Sequence, residues 1–160
     1  NGNYSTRGRR AVTGIAHETN LAQFLIELPN PDSFSELEIF RQIGEAGVNI
    51  DLISVFPLLK AFAVKDEHRR KVENILEGLE VPFRVEKDCA KVSVVGVGMH
   101  SIPGVMARVV KALNEHNIEI KQTGDSNITI SLLIKQDDLR RAVQTLHDSF
   151  YLANNNGGDE

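Results

Sequence analysis

The chain is poor in cysteine, since Cys89 stands alone among its 160 residues. A single cysteine excludes an internal disulfide and is typical of proteins in a reducing compartment. No apolar run approaches the roughly 18 residues that a membrane-spanning helix requires, and the first residues lack the pattern of a signal peptide. We therefore expect a cytoplasmic protein that has no membrane partner.

Positive charge is also limited, because 18 lysines and arginines stand against 22 acidic residues and give a formal net charge of −4. Proteins that bind nucleic acid usually carry a basic stripe, so this balance argues against a nucleic-acid partner. The two ends, residues 1–10 and 153–160, lack apolar periodicity and are predicted to be disordered. The first ten residues are either a disordered leader or the end of a preceding domain.

The sequence lacks the side-chain combinations that most catalytic sites need. Its five histidines have no metal-ligand spacing with one another or with Cys89. Ser33 and Ser101 have no positioned base nearby, which leaves a hydrolase unsupported. Gly96 and Gly98 partly match a dinucleotide-binding fingerprint, but Ser101 occupies the third glycine position and only about 60 residues follow, too few for a doubly wound sheet. We predict no catalytic site, no metal and no cofactor in this chain.

What the sequence does contain is an internal repeat. Residues 90–150 repeat the order of elements predicted for residues 21–86, namely strand, helix, strand, strand and helix. The first copy reads FLIEL, SELEIFRQIGEAG, VNIDLISV, LKAFAV and DEHRRKVENILEG. The second copy reads KVSVVGVG, PGVMARVVKALNEHN, IEIKQTG, NITISLLI and QDDLRRAVQTLHDSF. Repetition in a fixed order predicts two small domains of one kind.

Each copy has the pattern of a ferredoxin-like βαββαβ unit. The first copy ends with a last strand, PFRVE at 82–86, but the second copy has none after Phe150. The apolar, β-branched segment at 11–17 is spare, so we assign it to the second unit. The sequence therefore predicts an α+β fold in which one domain, 20–88, is inserted into a second domain formed by 11–17 and 89–152.

Four segments carry a resemblance to a known family. VTGIAHETNLAQFLI, AGVNIDLIS, CAKVSVVGVGMHSIPGV and DDLRRAVQTLHDSF occur in this order between residues 11 and 152. Together they resemble the regulatory region of monofunctional aspartate kinases, which is a tandem pair of ACT domains. The IAHETNLAQF segment is similar to the class that is controlled by diaminopimelate or lysine in spore-forming Gram-positive bacteria.

The resemblance implies a role in feedback control. An end-product amino acid (lysine, diaminopimelate or threonine) would bind between ACT domains and control aspartate phosphorylation in lysine, threonine and methionine biosynthesis. ATP and magnesium would be used by a kinase domain that precedes this region or by a separate subunit. Exposed strand edges and the family likeness predict a homodimer with four ACT units. Two alternatives are a ligand-free oligomerisation module and a regulatory subunit of another amino-acid biosynthetic enzyme.

The resemblance also implies where an effector would bind, namely the loop after the first strand and the strand after the first helix. A helix N-terminus there would hold the α-carboxylate, and a carboxylate or amide would take the ammonium. In the first unit the residues are Pro29, Asp32, Ser33, Ser35, Ile50 and Asp51. In the second unit they are Met99, His100, Ser101, Gly104, Val105, Gln122, Asn127 and Ile128.

Several of these residues have a second interpretation. Asp51 matches the family's acidic residue that faces an effector amine, but an aspartate also commonly ends a strand. His100 is either a ligand contact or a solvent-exposed side chain, and Gln122 pairs either with backbone or with an effector. Gly104 allows a ligand to approach the backbone or serves packing alone. Pro29 lacks the N–H that a carboxylate would need.

Overall fold

The computed structural model describes residues 12–28, 33–96 and 103–150. The predicted disordered ends, 1–10 and 153–160, lie outside these residues. The described residues form β1 (Val12–Glu27), α1 (Ser33–Glu45), β2 (Asp51–Val55), β3 (Leu59–Lys65), α2 (Arg69–Gly78), β4 (Phe83–Gly96), α3 (Val105–Glu115), β5 (Gln122–Asp125), β6 (Thr129–Lys135) and α4 (Leu139–Phe150). Short 3-10 turns precede α2 and α4.

These elements divide into two compact units. The inner unit is Asn20–Cys89, and the outer unit contains the residues up to Thr19 and those from Ala90 onward. The units repeat the same elements, because β3 spans Leu59–Lys65 and β6 spans Thr129–Lys135, which is a spacing of 70 residues. The predicted α+β fold with one ferredoxin-like unit inserted into the other is confirmed.

The inner unit has an antiparallel sheet in the order β2-β3-β1-β4. Phe24 of β1 lies opposite Phe62 of β3, and their rings stack with centroids 5.5 Å apart. The helices α1 and α2 bury their apolar faces on this sheet, because their apolar residues recur three or four positions apart and so lie on one face of each helix. The buried core contains Ala22, Phe24, Ile26, Leu28, Ile39, Ile43, Val48, Phe62, Val64, Val72 and Leu76.

The outer unit has the corresponding strand order β1-β4-β6-β5. Thr123 of β5 lies opposite Leu132 of β6, and the hydroxyls of Ser93 and Ser131 form a buried 2.7 Å hydrogen bond between β4 and β6. The core contains Ala90, Val92, Val94, Val105, Val109, Ala112, Leu113, Ile118, Ile130, Leu132, Ile134, Ala142, Leu146 and Phe150.

The first helix of each unit ends in the same way. Gly47 and Asn117, which follow α1 and α3, have left-handed φ angles of 75° and 55°. One residue further on, Val48 N–H donates to Ile43 O at 3.2 Å, and Ile118 N–H donates to Leu113 O at 3.0 Å. This arrangement satisfies the last carbonyls of each helix. Glycine adopts a left-handed conformation without steric cost and asparagine tolerates it, which explains these stops.

Two strands are longer than the sequence indicates. Residues 12–17 and 24–27, predicted in two separate strands, belong to the single strand β1, and residues 83–86 and 91–96, also predicted in two strands, both belong to β4. Each long strand carries one left-handed residue where the inner unit meets the outer unit along the chain, Asn20 with φ 57° and Asp88 with φ 55°. Polar residues that usually signal a turn are accommodated within the strands here.

Candidate functional site

Five of the predicted effector residues lie outside the described residues, namely Pro29, Asp32, Met99, His100 and Ser101. Ser33 begins α1, and its side chain lies outside the description as well. The loop after the first strand of each unit therefore remains a prediction.

Asp51 begins β2 and is half-buried. Its Oδ1 accepts a 2.9 Å hydrogen bond from the backbone N–H of Leu52, and Leu52 has a left-handed φ of 54°. The pairing of β2 with β3 shifts register between Asp51 and Ser54, which marks a bulge. The carboxylate thus stabilises the irregular start of the strand. Ile50, the preceding residue, packs against the inner core.

Ser35 and Glu36 lie in the first turn of α1. Glu36 leads to a residue that sequence reasoning missed, because its Oε2 lies 3.2 Å from Nζ of Lys60 in β3. Lys60 is only 2% exposed. Its ammonium also donates to the carbonyls of Phe56 at 2.6 Å and Pro57 at 3.0 Å. Because side chains alternate along β3, Lys60 lies on the same face as the core residues Phe62 and Val64. A charged residue at a core position of a strand is the feature of the sequence that could have indicated this contact.

The same region of the inner unit exposes large apolar side chains. We call this set the apolar surface, and it comprises Phe34 and Leu37 of α1, Ile53 and Val55 of β2, and Phe56 and Leu58 of the β2–β3 turn. Each is at least 51% exposed, and Phe34 reaches 70%. Among the described residues of the outer unit, Ile128 alone is a large apolar side chain of comparable exposure, at 54%.

In the outer unit the predicted residues divide between core and surface. Val105 is buried in the core, so its side chain serves packing. Gly104 precedes α3 with a left-handed φ of 82°, and among the described residues no atom beyond its chain neighbours lies within 4 Å of the place that a Cβ would take. Gln122 begins β5 and is buried, whereas Asn127 is exposed in the β5–β6 turn.

The β5–β6 turn lies beside the end of β4. Gly96 N–H donates to Ile128 O at 2.7 Å, and the Ser126 hydroxyl accepts from the backbone N–H groups of Ile128 and Thr129 at 3.2 and 3.1 Å. Gly96 is the last described residue before the predicted effector loop, which starts at Met99, and Ile128 contacts Gly96 directly.

Surface charges on α1 form a ladder. Arg41 contacts Glu38 and donates to Glu45 at 2.6 Å. The hydrogen bond from Arg41, helped by one from Gln42, lowers the pKa of Glu38 to about 2. The same two carboxylates raise the pKa of Arg41. This ladder lies on the solvent side of α1, and none of its members is a predicted effector residue.

Two open grooves occur in the inner unit. One of about 430 Å³ is lined by Glu27, Leu58, Leu59 and Pro82. The other, of about 420 Å³, lies between α1 and α2 and is lined by Gln42, Ala46, Lys71, Asn74, Ile75, Gly78 and Leu79. Neither groove is lined by a predicted effector residue. Among residues 12–28, 33–96 and 103–150, no three histidine, cysteine or acidic side chains group as metal ligands, and no helix is long and apolar enough to cross a membrane.

Comparison with known proteins gives a consistent family. The ACT domain family model matches residues 84–148. Aspartokinase 1 of Bacillus subtilis is 33% identical over 144 residues, which cover 90% of this chain and 36% of that protein. The aspartokinase of Geobacillus stearothermophilus is 34% identical over 148 residues, with 89% and 36% covered. The chain thus spans little more than a third of the length of these relatives.

The fold leads to the same family. The solved regulatory subunit of aspartate kinase from Thermus thermophilus, in its ligand-free form, has a TM-score of 0.80 and 28% identity, and the match covers 88% of this chain and 99% of that one. In the structure of aspartokinase alpha and beta subunits, the matching chain has a TM-score of 0.81 and 27% identity, with 88% and 99% covered. The chain therefore belongs to the ACT-domain regulatory regions of the aspartokinase family.

Proposed function

We propose that this chain binds an end-product amino acid and confers feedback control on an aspartokinase catalytic domain or subunit. The observation that carries the proposal is the match to 99% of a solved regulatory subunit of aspartate kinase. The match covers a whole regulatory protein and no part of a kinase domain. In this proposal, ATP and magnesium are used by the catalytic partner, and the chain itself binds neither.

The effector is proposed to be lysine, diaminopimelate or threonine. Each offers an α-carboxylate and an ammonium, which helix N-terminal N–H groups and a carboxylate or amide can recognise. Gly104 supports this assignment, because among the described residues no atom beyond its chain neighbours lies within 4 Å of the place that a Cβ would take. In the inner unit, Asp51 supplies a carboxylate at the start of β2, and one of its oxygens holds Leu52 N–H.

Control would act by population shift. A ligand can move an equilibrium between two conformations only as far as its affinities for them differ. The effector would therefore bind one arrangement of the regulatory region more tightly, and the catalytic partner would respond to that arrangement. No covalent chemistry in this chain is needed for the proposal.

We also propose that the chain forms a homodimer through the apolar surface of the inner unit. Exposed apolar patches larger than a few hundred Å² mark interaction sites on soluble proteins, and this surface has six large side chains that are more than half exposed. A two-fold interface uses the same patch on both copies, so an apolar surface is complementary to itself. A stable dimer buries roughly 800 Å² per partner.

A second candidate function is a ligand-free oligomerisation module. The contact between Asp51 and Leu52 N–H favours it, because that contact gives Asp51 a structural task without any effector. The two functions share the fold and the dimer, and they differ only in ligand binding.

Isothermal titration with lysine, meso-diaminopimelate and threonine, singly and in pairs, tests the proposal. We expect saturable heat from one of the three at micromolar to millimolar concentration. Absence of heat from all three, repeated in the presence of the catalytic partner, would leave the oligomerisation module as the function.

A further inference from the structure

Lys60 occupies a position where the outer unit has an apolar residue. In the inner unit Val55 of β2 lies opposite Lys60 of β3, and in the outer unit Asp125 of β5 lies opposite Ile130 of β6. Lys60 and Ile130 are 2% and 3% exposed. The fold therefore accepts an aliphatic side chain at this position, and the lysine is not required to fill space.

The ammonium of Lys60 is fully engaged. A lysine has three N–H donors, and its three neighbours are the carbonyls of Phe56 and Pro57 and the carboxylate of Glu36. Two of these acceptors belong to the β2–β3 turn and the third belongs to the first turn of α1. The side chain thus joins two segments that are separated in sequence by about 20 residues.

The two joined segments carry the apolar surface. Glu36 lies between Phe34 and Leu37 on α1, and the carbonyl of Phe56 belongs to a residue of that surface. The turn itself is closed by a 2.8 Å hydrogen bond from Phe56 N–H to Leu59 O. The position of the turn relative to α1 therefore depends on Lys60 in addition to this backbone contact.

Stability alone does not explain a lysine here. The Lys60 side chain is 3% exposed and that of Glu36 is 40% exposed, so only the lysine of this pair is buried. Replacing buried charges by apolar side chains of similar volume is often neutral or stabilising, and buried charges are retained in some proteins because they specify one arrangement. We infer that Lys60 is a positioning residue, which fixes the β2–β3 turn against the first turn of α1 and so shapes the apolar surface for a second copy of this chain. The inference rests on the proposed homodimer.

The test compares Lys60→Met with the matched control Ile130→Met, at the same register position of the outer unit. Sedimentation equilibrium measures the dimer dissociation constant, and a thermal melt measures the folded state. We expect Lys60→Met to raise the dissociation constant at least about tenfold with an unchanged or higher melting temperature, and Ile130→Met to leave dimerisation unchanged. An unchanged dissociation constant in Lys60→Met would overturn the inference.

Amide exchange separates this inference from the dimer proposal. At concentrations where the protein is monomeric, Phe56 N–H should exchange at least about tenfold faster in Lys60→Met than in the unmodified chain, and Glu36→Gln should give a smaller change of the same sign. If the unmodified chain never dimerises, the homodimer fails and this exchange rate alone decides the positioning role. An unchanged exchange rate of Phe56 N–H in Lys60→Met would show that the β2–β3 turn keeps its conformation without Lys60.

Discussion

The inner and outer units place the same elements in the same order, 70 residues apart, yet they use equivalent positions differently. The inner unit has the ion pair of Glu36 and Lys60, where the outer unit has Met106 and Ile130, both of which pack in or against its core. The inner unit also exposes six large apolar side chains around that pair. The proposed dimer would assign association to the inner unit and leave the outer unit without that task.

The two units also bury different polar residues: Gln23 and Lys60 in the inner unit, and Ser93, Gln122, Ser131 and Thr145 in the outer unit. Ser93 and Ser131 share a buried hydrogen bond, where the inner unit has Gln23 and Ala61 at the equivalent positions. The guanidinium of Arg108 lies 4.9 Å from the centroid of the Phe150 ring, which is a favourable cation–π distance. These contacts join elements within the outer unit.

The largest expected effects on the free energy of unfolding come from substitutions in the cores of the two units. Phe62→Ala removes a fully buried ring that stacks on Phe24, so we expect a loss of about 3–5 kcal/mol in the free energy of unfolding. Leu132→Ala, at the equivalent position of the outer unit, should lose about 2–5 kcal/mol. Urea denaturation measures both, and Arg70→Ala, at an exposed position of α2, serves as the control within about 0.5 kcal/mol. A loss below about 1 kcal/mol for Phe62→Ala would contradict the core described for the inner unit.

Effector binding gives the next largest expected effect. Asp51→Asn keeps a side-chain oxygen for Leu52 N–H and removes the charge that an effector ammonium requires, so the fold should be unchanged while affinity falls about 10- to 100-fold. Titration calorimetry measures the affinity, and Asp51→Ala shows the added loss of the backbone contact. Full affinity in Asp51→Asn, combined with loss of binding in Gln122→Ala, would move the site to the outer unit.

Association can be compared at one pair of equivalent positions. Leu58 and Ile128 lie in corresponding turns and are 55% and 54% exposed. We expect Leu58→Ser to weaken the dimer by about tenfold, because it removes apolar contact from the interface, and Ile128→Ser to leave it unchanged. Sedimentation equilibrium measures both. Equal weakening in the two variants would show that the apolar surface of the inner unit is not the main interface.

The sequence predicted the repeat and the inserted unit, because the order of elements follows from local patterns and the second copy has no last strand of its own. The ends of α1 and α3 at Gly47 and Asn117 also have a local cause, since both residues adopt a left-handed conformation readily. The continuity of β1 and β4 was not predicted, because Asn20 and Asp88 are turn-forming residues that the strands hold in a left-handed conformation. Strand pairing, which is a non-local effect, overrides that local preference.

The candidate site was less accessible to sequence reasoning. Residues after the first strand of each unit were assigned by resemblance, and they lie largely outside the described residues. Lys60 was missed for a physical reason: its three partners come from α1 and the β2–β3 turn, and the distance between such segments is set only by folding. A lysine in an apolar strand indicates a buried charge, but the sequence does not show which groups that charge contacts.

The smallest expected effect concerns pH and the surface of α1. Because the folded pKa of Glu38, about 2, lies below its ordinary value of 4.5, the ionised carboxylate stabilises the folded state at neutral pH, and this contribution is lost as pH falls from about 4.5 through about 2. Arg41→Ala should raise the pKa of Glu38 toward 4.5, as measured by NMR titration of its carboxyl carbon. Lys111→Ala, which breaks the 3.7 Å contact of Lys111 with Glu115 on α3, is the matched control and should leave that pKa unchanged. If the pKa of Glu38 stays near 2 in Arg41→Ala, the hydrogen bond from Gln42 alone is enough to lower it. The contacts of Arg41 would then not account for any difference in pH dependence between α1 and α3.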